Sequence, residues 1–135
     1  MKSLLDQLTT TASAMEKAIA LQALVATVGF DWPTLTEVFA KLHEEINELQ
    51  VEITAKADKQ RIVDEFGDIL FVCANIGRWL AVDPETALKH ANQKFEQRFR
   101  LMETQLQQKH ANLSACSFME MLEAWESVKK QLKNT

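Results

Sequence analysis

Only three glycines and two prolines punctuate 135 residues. A small β-sandwich or barrel reverses direction about every 8–12 residues and draws on such residues at its turns. Their scarcity removes most β architectures and leaves a few long helices. The strongest breaks are Gly29-Phe30-Asp31-Trp32-Pro33 and Asp83-Pro84, with a polar break at Lys56 to Lys59 between them. They cut the chain into pieces of helical length.

Apolar spacing fills in those pieces. A first helix is expected from about Ser3 to Val28, through Met15, Ile19, Leu21, Ala23 and Leu24. A second opens at Thr34 with Glu37 three residues on, a capping-box pattern. It carries Leu35, Val38, Phe39, Leu42, Ile46, Leu49 and Ile53 on one face. A third runs from about Asp58 to Leu80, and its centre, Phe66 to Ala74, is apolar most of the way round. Such a helix is covered on more than one side, and in a short chain a second subunit is a natural cover. Asp83 caps the fourth helix and Pro84 occupies its first turn. Its stripe is Leu88, Ala91, Phe95, Phe99, Met102 and Leu106. Ser117 and Glu120 cap a last helix with Leu122, Trp125, Val128 and Leu132. The fold class read here is all-α, a bundle of about five helices within one domain over 1–135.

Composition narrows the partners. The 15 basic and 19 acidic residues leave a net charge of −4, which disfavours a dedicated nucleic-acid binder, normally marked by a basic face. The longest uncharged stretch, Ala18 to Phe30, is too short and too polar to span a bilayer, and Asp6 comes too early for a signal peptide. Cys73 and Cys116 are lone cysteines without zinc-ligand spacing. A cytoplasmic protein, with neither nucleic-acid nor membrane partners, is the simplest expectation.

The acidic residues carry most of the chemistry. The second helix holds Glu44, Glu45, Glu48 and Glu52, and the third holds Asp64, Glu65 and Asp68. Helical phase puts Glu45 at the edge of the Leu42/Leu49 stripe, with Glu48 on the same flank. Glu65 and Asp68 flank the Phe66/Ile69/Cys73 stripe, and Asn75 extends that flank. Two helices joined by a short turn would bring these flanks together across a groove. Gathered carboxylates repel unless neutralised, and a hard divalent cation such as Mg²⁺ does so with carboxylates, water and phosphates. Glu-rich helix faces are also commonly plain solvated surface, and spacing alone leaves both readings open. A di-iron bundle would use Glu-x-x-His pairs, and no glutamate here has a histidine three residues later.

Basic and aromatic residues add a second pattern. Lys94 and Arg98 stand four apart beside Phe95 and Phe99, and Trp125 and Lys129 stand four apart on the last helix. They are either core-edge side chains or phosphate and base ligands. No glycine-rich phosphate loop exists, and His43, His90 and His110 are scattered with no paired nucleophile. An acidic cluster with basic ligands describes metal-assisted attack of water on a phosphate ester or anhydride.

These residues lie in blocks that resemble the MazG-like nucleoside triphosphate pyrophosphohydrolases, over roughly Ala12 to Lys130. The blocks are Gly29 to Pro33, Lys41 to Leu49, Asp64 to Phe71, Asn75 to Arg78, Asp83 to Leu88, Asn92 to Phe99 and Trp125 to Lys129. The resemblance implies an all-α NTP pyrophosphatase-like fold, a four-helix core completed by dimerisation into a homodimer or a dimer of dimers. It implies cleavage of a nucleoside triphosphate into monophosphate and pyrophosphate. The family's paired motif falls on Glu45 and Glu48, then Glu65 and Asp68, implying that these four hold Mg²⁺, with Mn²⁺ a substitute. Glu44 matches an additional acid, and Glu44 or Glu48 would be the base. Lys94, Arg98, Trp125 and Lys129, with Lys41 and Asn75, match nucleotide-binding positions. Two departures, Asp64 where Glu is common and Trp79 where His often stands, miss the ligand positions. The rival readings are a non-catalytic helical module binding a nucleotide or a partner, and an enzyme of this fold acting on another phosphorylated compound.

Overall fold

The structure, a computed structural model, describes residues 2–11, 13–110 and 112–133. Five α-helices occur in them: α1 (Ala14–Ala26), α2 (Leu35–Thr54), α3 (Lys59–Leu80), α4 (Pro84–Gln107) and α5 (Phe118–Lys133). Leu4–Gln7 and Leu113–Ala115 form short 3-10 turns, and no strand is found among the described residues. The fold is all-α. No helix among the described residues is long and apolar enough to cross a membrane.

The caps predicted at Thr34, Asp83 and Ser117 stand at their helix starts, and Asp58 supplies a further one. The Glu37 carboxylate accepts from the Thr34 N–H at 2.8 Å, opening α2. Asp58 accepts from the Arg61 N–H at 3.0 Å, opening α3. Asp83 accepts from the Glu85 N–H at 3.3 Å, and from the Thr86 hydroxyl at 2.8 Å, at the start of α4. Ser117 and Glu120 bond reciprocally at 3.1 Å before α5. These bonds satisfy N–H groups that a helix leaves unpaired at its start.

The expected first helix, Ser3 to Val28, is corrected by the structure. Ser3 caps only the 3-10 turn, residues 8–11 are not helical, and α1 begins after Ser13, whose hydroxyl accepts from the Glu16 N–H at 3.1 Å. The run Thr9-Thr10-Thr11 explains the gap. Its β-branched side chains lose rotamer freedom in a helix, and their hydroxyls compete for backbone bonds.

One device ends the first three helices. The N–H groups of Phe30, Ala57 and Val82 bond the carbonyls of Val25, Glu52 and Gly77, five residues back, at 3.1, 3.0 and 2.9 Å. The residue before each donor is left-handed: Gly29 at φ +88°, Lys56 at +56° and Ala81 at +54°. This is the Schellman arrangement, and only Gly29 is the residue that it favours.

The chain divides into two compact units, Met1–Thr86 and Ala87–Thr135. In the first, α1 and α2 both pack on α3. Val38 and Ala74 are fully buried, with Val72 nearly so. The Gln22 amide of α1 donates to the Phe71 carbonyl of α3 at 2.9 Å, a buried polar tie between the two helices. Just after α3 the backbone turns so closely that a Cβ on Gly77 would lie 3.0 Å from the Val82 carbonyl oxygen. In the second unit, Met102 and Leu106 of α4 meet Val128 of α5, flanked by Phe99, Leu113 and Trp125. His110 and Glu120 close this unit's turn at 2.7 Å.

Two apolar faces are more open than their periodicity predicts. Leu88 and Phe95 of the α4 stripe are exposed, as are Phe66, Leu70 and Phe71 of α3. Apolar spacing tells which positions avoid water, but not which molecule covers them.

Candidate functional site

Helix α2 presents Lys41, Glu44, Glu45 and Glu48 at steps of three and four. Helix α3, packed against it, presents Glu65 and Asp68 one turn apart. One oxygen each from Glu45, Glu65 and Asp68 comes within 4.8 Å of the other two. Glu45 is only 5% exposed, far from the solvated glutamate of a helix surface. Its Oε2, and the Oε2 of Glu65, are buried with no hydrogen-bond partner. Buried acceptors without donors are costly, and buried carboxylates more so. Three convergent carboxylates, two of which each carry a buried unpartnered oxygen, fit a hard divalent cation.

The electrostatics agree with that fit. The Glu48 carboxyl is pushed up, first by desolvation, then by the negative charges of Glu45, Glu65 and Glu44. The Asp68 carboxyl is pushed up by desolvation, then by Glu45 and Asp64, with Lys41 opposing. Excess negative charge therefore accumulates on both helices of the hairpin. Glu48 is half-buried beside the trio without being one of the three whose oxygens converge. Glu44 is exposed. The Lys41 ammonium spans Glu45 at 3.1 Å and Glu44 at 3.3 Å. Its pKa is raised, chiefly by the hydrogen bond to Glu45. Glu52 belongs elsewhere, paired with Arg61 at 2.7 Å.

Farther along α3 a cavity of ≈ 490 Å³ opens in the same unit. Its wall includes Leu21, Val25, Phe30, Trp32 and Phe71, with Gln22, Asn75, Asp31 and Arg78 as its polar members. Asn75 is 8% exposed, and its Oδ1 accepts from the Arg78 Nε at 2.9 Å. Arg78 also grips Asp31 at 2.6 Å, tying the segment after α1 to α3. Asn75 is a nucleotide-binding candidate by the family resemblance, and it extends the acidic flank of α3. The Asp31–Arg78 pair was not, because partners 47 positions apart leave no local signal.

The remaining expected residues lie in the second unit. Lys94 is exposed and Arg98 half-buried, with its Nε buried and unpartnered. Trp125 lies against Phe95, ring centroids 5.1 Å apart, and Lys129 stands 3.6 Å from Glu126. Trp125 packs partly buried against the Met102, Leu106 and Val128 core, a place that both of its sequence readings allow.

Comparison with known proteins matches the MazG nucleotide pyrophosphohydrolase domain to residues 34–100, which cover α2, α3 and most of α4. The chain is 38% identical over 130 residues to the nucleoside triphosphate pyrophosphohydrolase of Escherichia coli strain K12, covering 96% of this chain and 49% of that protein. It is 38% identical over 116 residues to the nucleoside triphosphate pyrophosphohydrolase/pyrophosphatase MazG of Thermotoga maritima, covering 86% of this chain and 44% of that one. A shorter match, 36% over 66 residues, reaches the uncharacterized protein YabN of Bacillus subtilis strain 168, covering 49% of this chain and 14% of that protein. The chain thus spans about half the length of the first two curated relatives.

Proposed function

Because this chain belongs to the MazG nucleotide pyrophosphohydrolase family, we propose that it hydrolyses nucleoside triphosphates between the α- and β-phosphates, releasing monophosphate and pyrophosphate. The observation that carries the reading is the convergence of Glu45, Glu65 and Asp68 with two buried, unpartnered oxygens. These three would hold Mg²⁺, for which Mn²⁺ could substitute. When bound, the cation supplies charge neutralisation and Lewis acidity at the phosphate oxygens.

The chain's own groups do the rest. Glu48, which the resemblance also counts among the ligands, stands beside the trio. Its half-buried carboxyl at the edge of the trio is placed to take the proton of the attacking water. Glu44 is the weaker choice as base, being exposed and paired with Lys41. Asn75 follows Asp68 by seven residues, about 10 Å along α3 at the helical rise. That spacing suits a nucleotide lying along α3, its phosphates at the acids and its sugar and base toward Asn75 and the cavity. Phosphate contacts from Lys94, Arg98 and Lys129, and a base contact from Trp125, rest on the resemblance alone.

The half-exposed Phe66, Leu70 and Phe71 support a homodimer, or a dimer of dimers, closing over α3. The free thiols of Cys73 and Cys116 suit a reducing cytoplasm. Residues 1–135 then act as a single MazG-like domain within that assembly.

The test is product analysis on a panel of ribo- and deoxynucleoside triphosphates, with Mg²⁺ and then with EDTA. Monophosphate and pyrophosphate, abolished by EDTA and by Glu48→Gln with the circular dichroism unchanged, is the expected result. Diphosphate and phosphate would mean that the wrong bond was assigned. No turnover on any nucleotide would favour a binding module.

A further inference from the structure

We infer that Lys41 is the resident counter-ion of the acidic site: its ammonium holds Glu45 while the divalent cation is absent and releases it when the cation arrives. The inference rests on the proposed reading of Glu45, Glu65 and Asp68 as a cation site.

Helix stability does not account for this ion pair. A lysine four residues before a glutamate is the less favourable order, since it opposes the helix dipole. What Lys41 does instead is neutralise a carboxylate buried to 5% exposure, at 3.1 Å, while bridging to Glu44 at 3.3 Å. Its influence reaches α3, where it is the group that opposes the upward push on Asp68. Glu44, Glu45, Glu48, Glu65 and Asp68 bring five carboxyl groups to the site, and Asp64 adds its charge beside Asp68. Arg61, the nearby cation at the turn, is engaged with Glu52 at 2.7 Å.

The pairing leaves the site half prepared. Lys41 satisfies Glu45 Oε1, whereas Oε2 of the same carboxylate has no partner. A divalent ion bound to Glu45 would stand close to the ammonium, and the two like charges would repel. Lys41 can yield, because its side chain is 32% exposed and turns on a flexible four-carbon stem. Once displaced, the ammonium remains at the rim of the site, where a polyphosphate brings new negative charge. Lys41 is thus a positioning residue for the apo site and becomes a phosphate ligand only after the exchange.

Two measurements test this on the full chain after metal removal: thermal melting without metal, and calorimetric titration with Mn²⁺ alone. Lys41→Met should lower the melting temperature by several degrees without metal, and adding Glu45→Gln should recover most of that loss. The same Lys41→Met protein should bind Mn²⁺ on the order of tenfold more tightly, the size of a screened repulsion between a single and a double charge about 5 Å apart. Lys41→Arg, which keeps the charge, should behave as the wild type in both. A purely structural lysine would not tighten metal binding when removed. Unchanged or weaker Mn²⁺ binding in Lys41→Met overturns the exchange, and unchanged metal-free melting overturns the counter-ion role. No Mn²⁺ binding by wild type or variants overturns the cation site and the exchange together. The metal-free melts would still report whether Lys41 neutralises Glu45.

Discussion

Replacing Ala81 or Lys56 by glycine should stabilise the N-terminal unit, and replacing Gly29 by alanine should destabilise it. All three hold the left-handed position in the same closing motif, at φ +54°, +56° and +88°. An L-residue there gives up about 1 kcal/mol to contact between Cβ and the following carbonyl oxygen. Glycine avoids that contact but loses more freedom on folding, which returns roughly half of the gain. The net is about 0.5 kcal/mol each for Ala81→Gly and Lys56→Gly, and about 1 kcal/mol together, since the sites share no bond. Gly29 lies about 30° beyond the centre of the left-handed well, so alanine there should cost at least about 1 kcal/mol. With a urea slope of about 1.5 kcal/mol per molar, the double variant should raise the unfolding midpoint by about 0.7 M and Gly29→Ala should lower it by a similar amount. The assay is urea unfolding followed by far-ultraviolet circular dichroism at one protein concentration, because self-association would couple stability to concentration. A lower midpoint for Ala81→Gly with an unchanged slope would refute the reasoning, since steric relief could not then be the leading contribution.

Two further expectations follow. Gly67→Ala meets nothing within 4 Å and should gain up to about 1 kcal/mol of helix propensity, whereas Gly77→Ala puts its Cβ 3.0 Å from the Val82 oxygen and 3.1 Å from Pro84 Cγ, overpacking that outweighs the same gain. Urea midpoints moving in the same direction for the two variants would contradict this. The second concerns pH: Asp68 and Glu48 have folded pKa values raised above the ordinary 3.8 and 4.5, so their contribution is present at low pH and lost as pH rises through the raised values. Metal-free protein should therefore lose stability as pH rises from the ordinary carboxylate values through the raised ones, and Asp68→Asn should flatten that loss. Parallel melting-temperature profiles for the two proteins would count against it.

The hairpin of α2 and α3 was legible because its signals are local. Thr34 and Glu37 mark a start, Lys56 to Lys59 mark a break, and helical phase alone placed Glu45 at the core's edge. The N-terminal segment departs from its expected single helix because Leu4, Leu5 and Leu8 continue an apolar rhythm that the Thr9 to Thr11 run interrupts. The ties made by Gln22 to the Phe71 carbonyl and by Asp31 to Arg78 were invisible, since each joins residues nearly fifty positions apart. Lys41 was noticed as a nucleotide ligand, but not as the partner of Glu45. Spacing allowed that contact without distinguishing it from Glu44 or solvent.

The hairpin also bears on the order of events in folding. Glu45, Glu65 and Asp68 lie within 23 positions of one another, on helices joined by the short turn at residues 55–58. Their convergence is a low-contact-order event, requiring the closure of a short loop and none of the chain beyond Leu80. The proposed ligand set would therefore be assembled as soon as two neighbouring helices meet. A cation captured at that stage would act on the rate of folding as well as on the lifetime of the folded state.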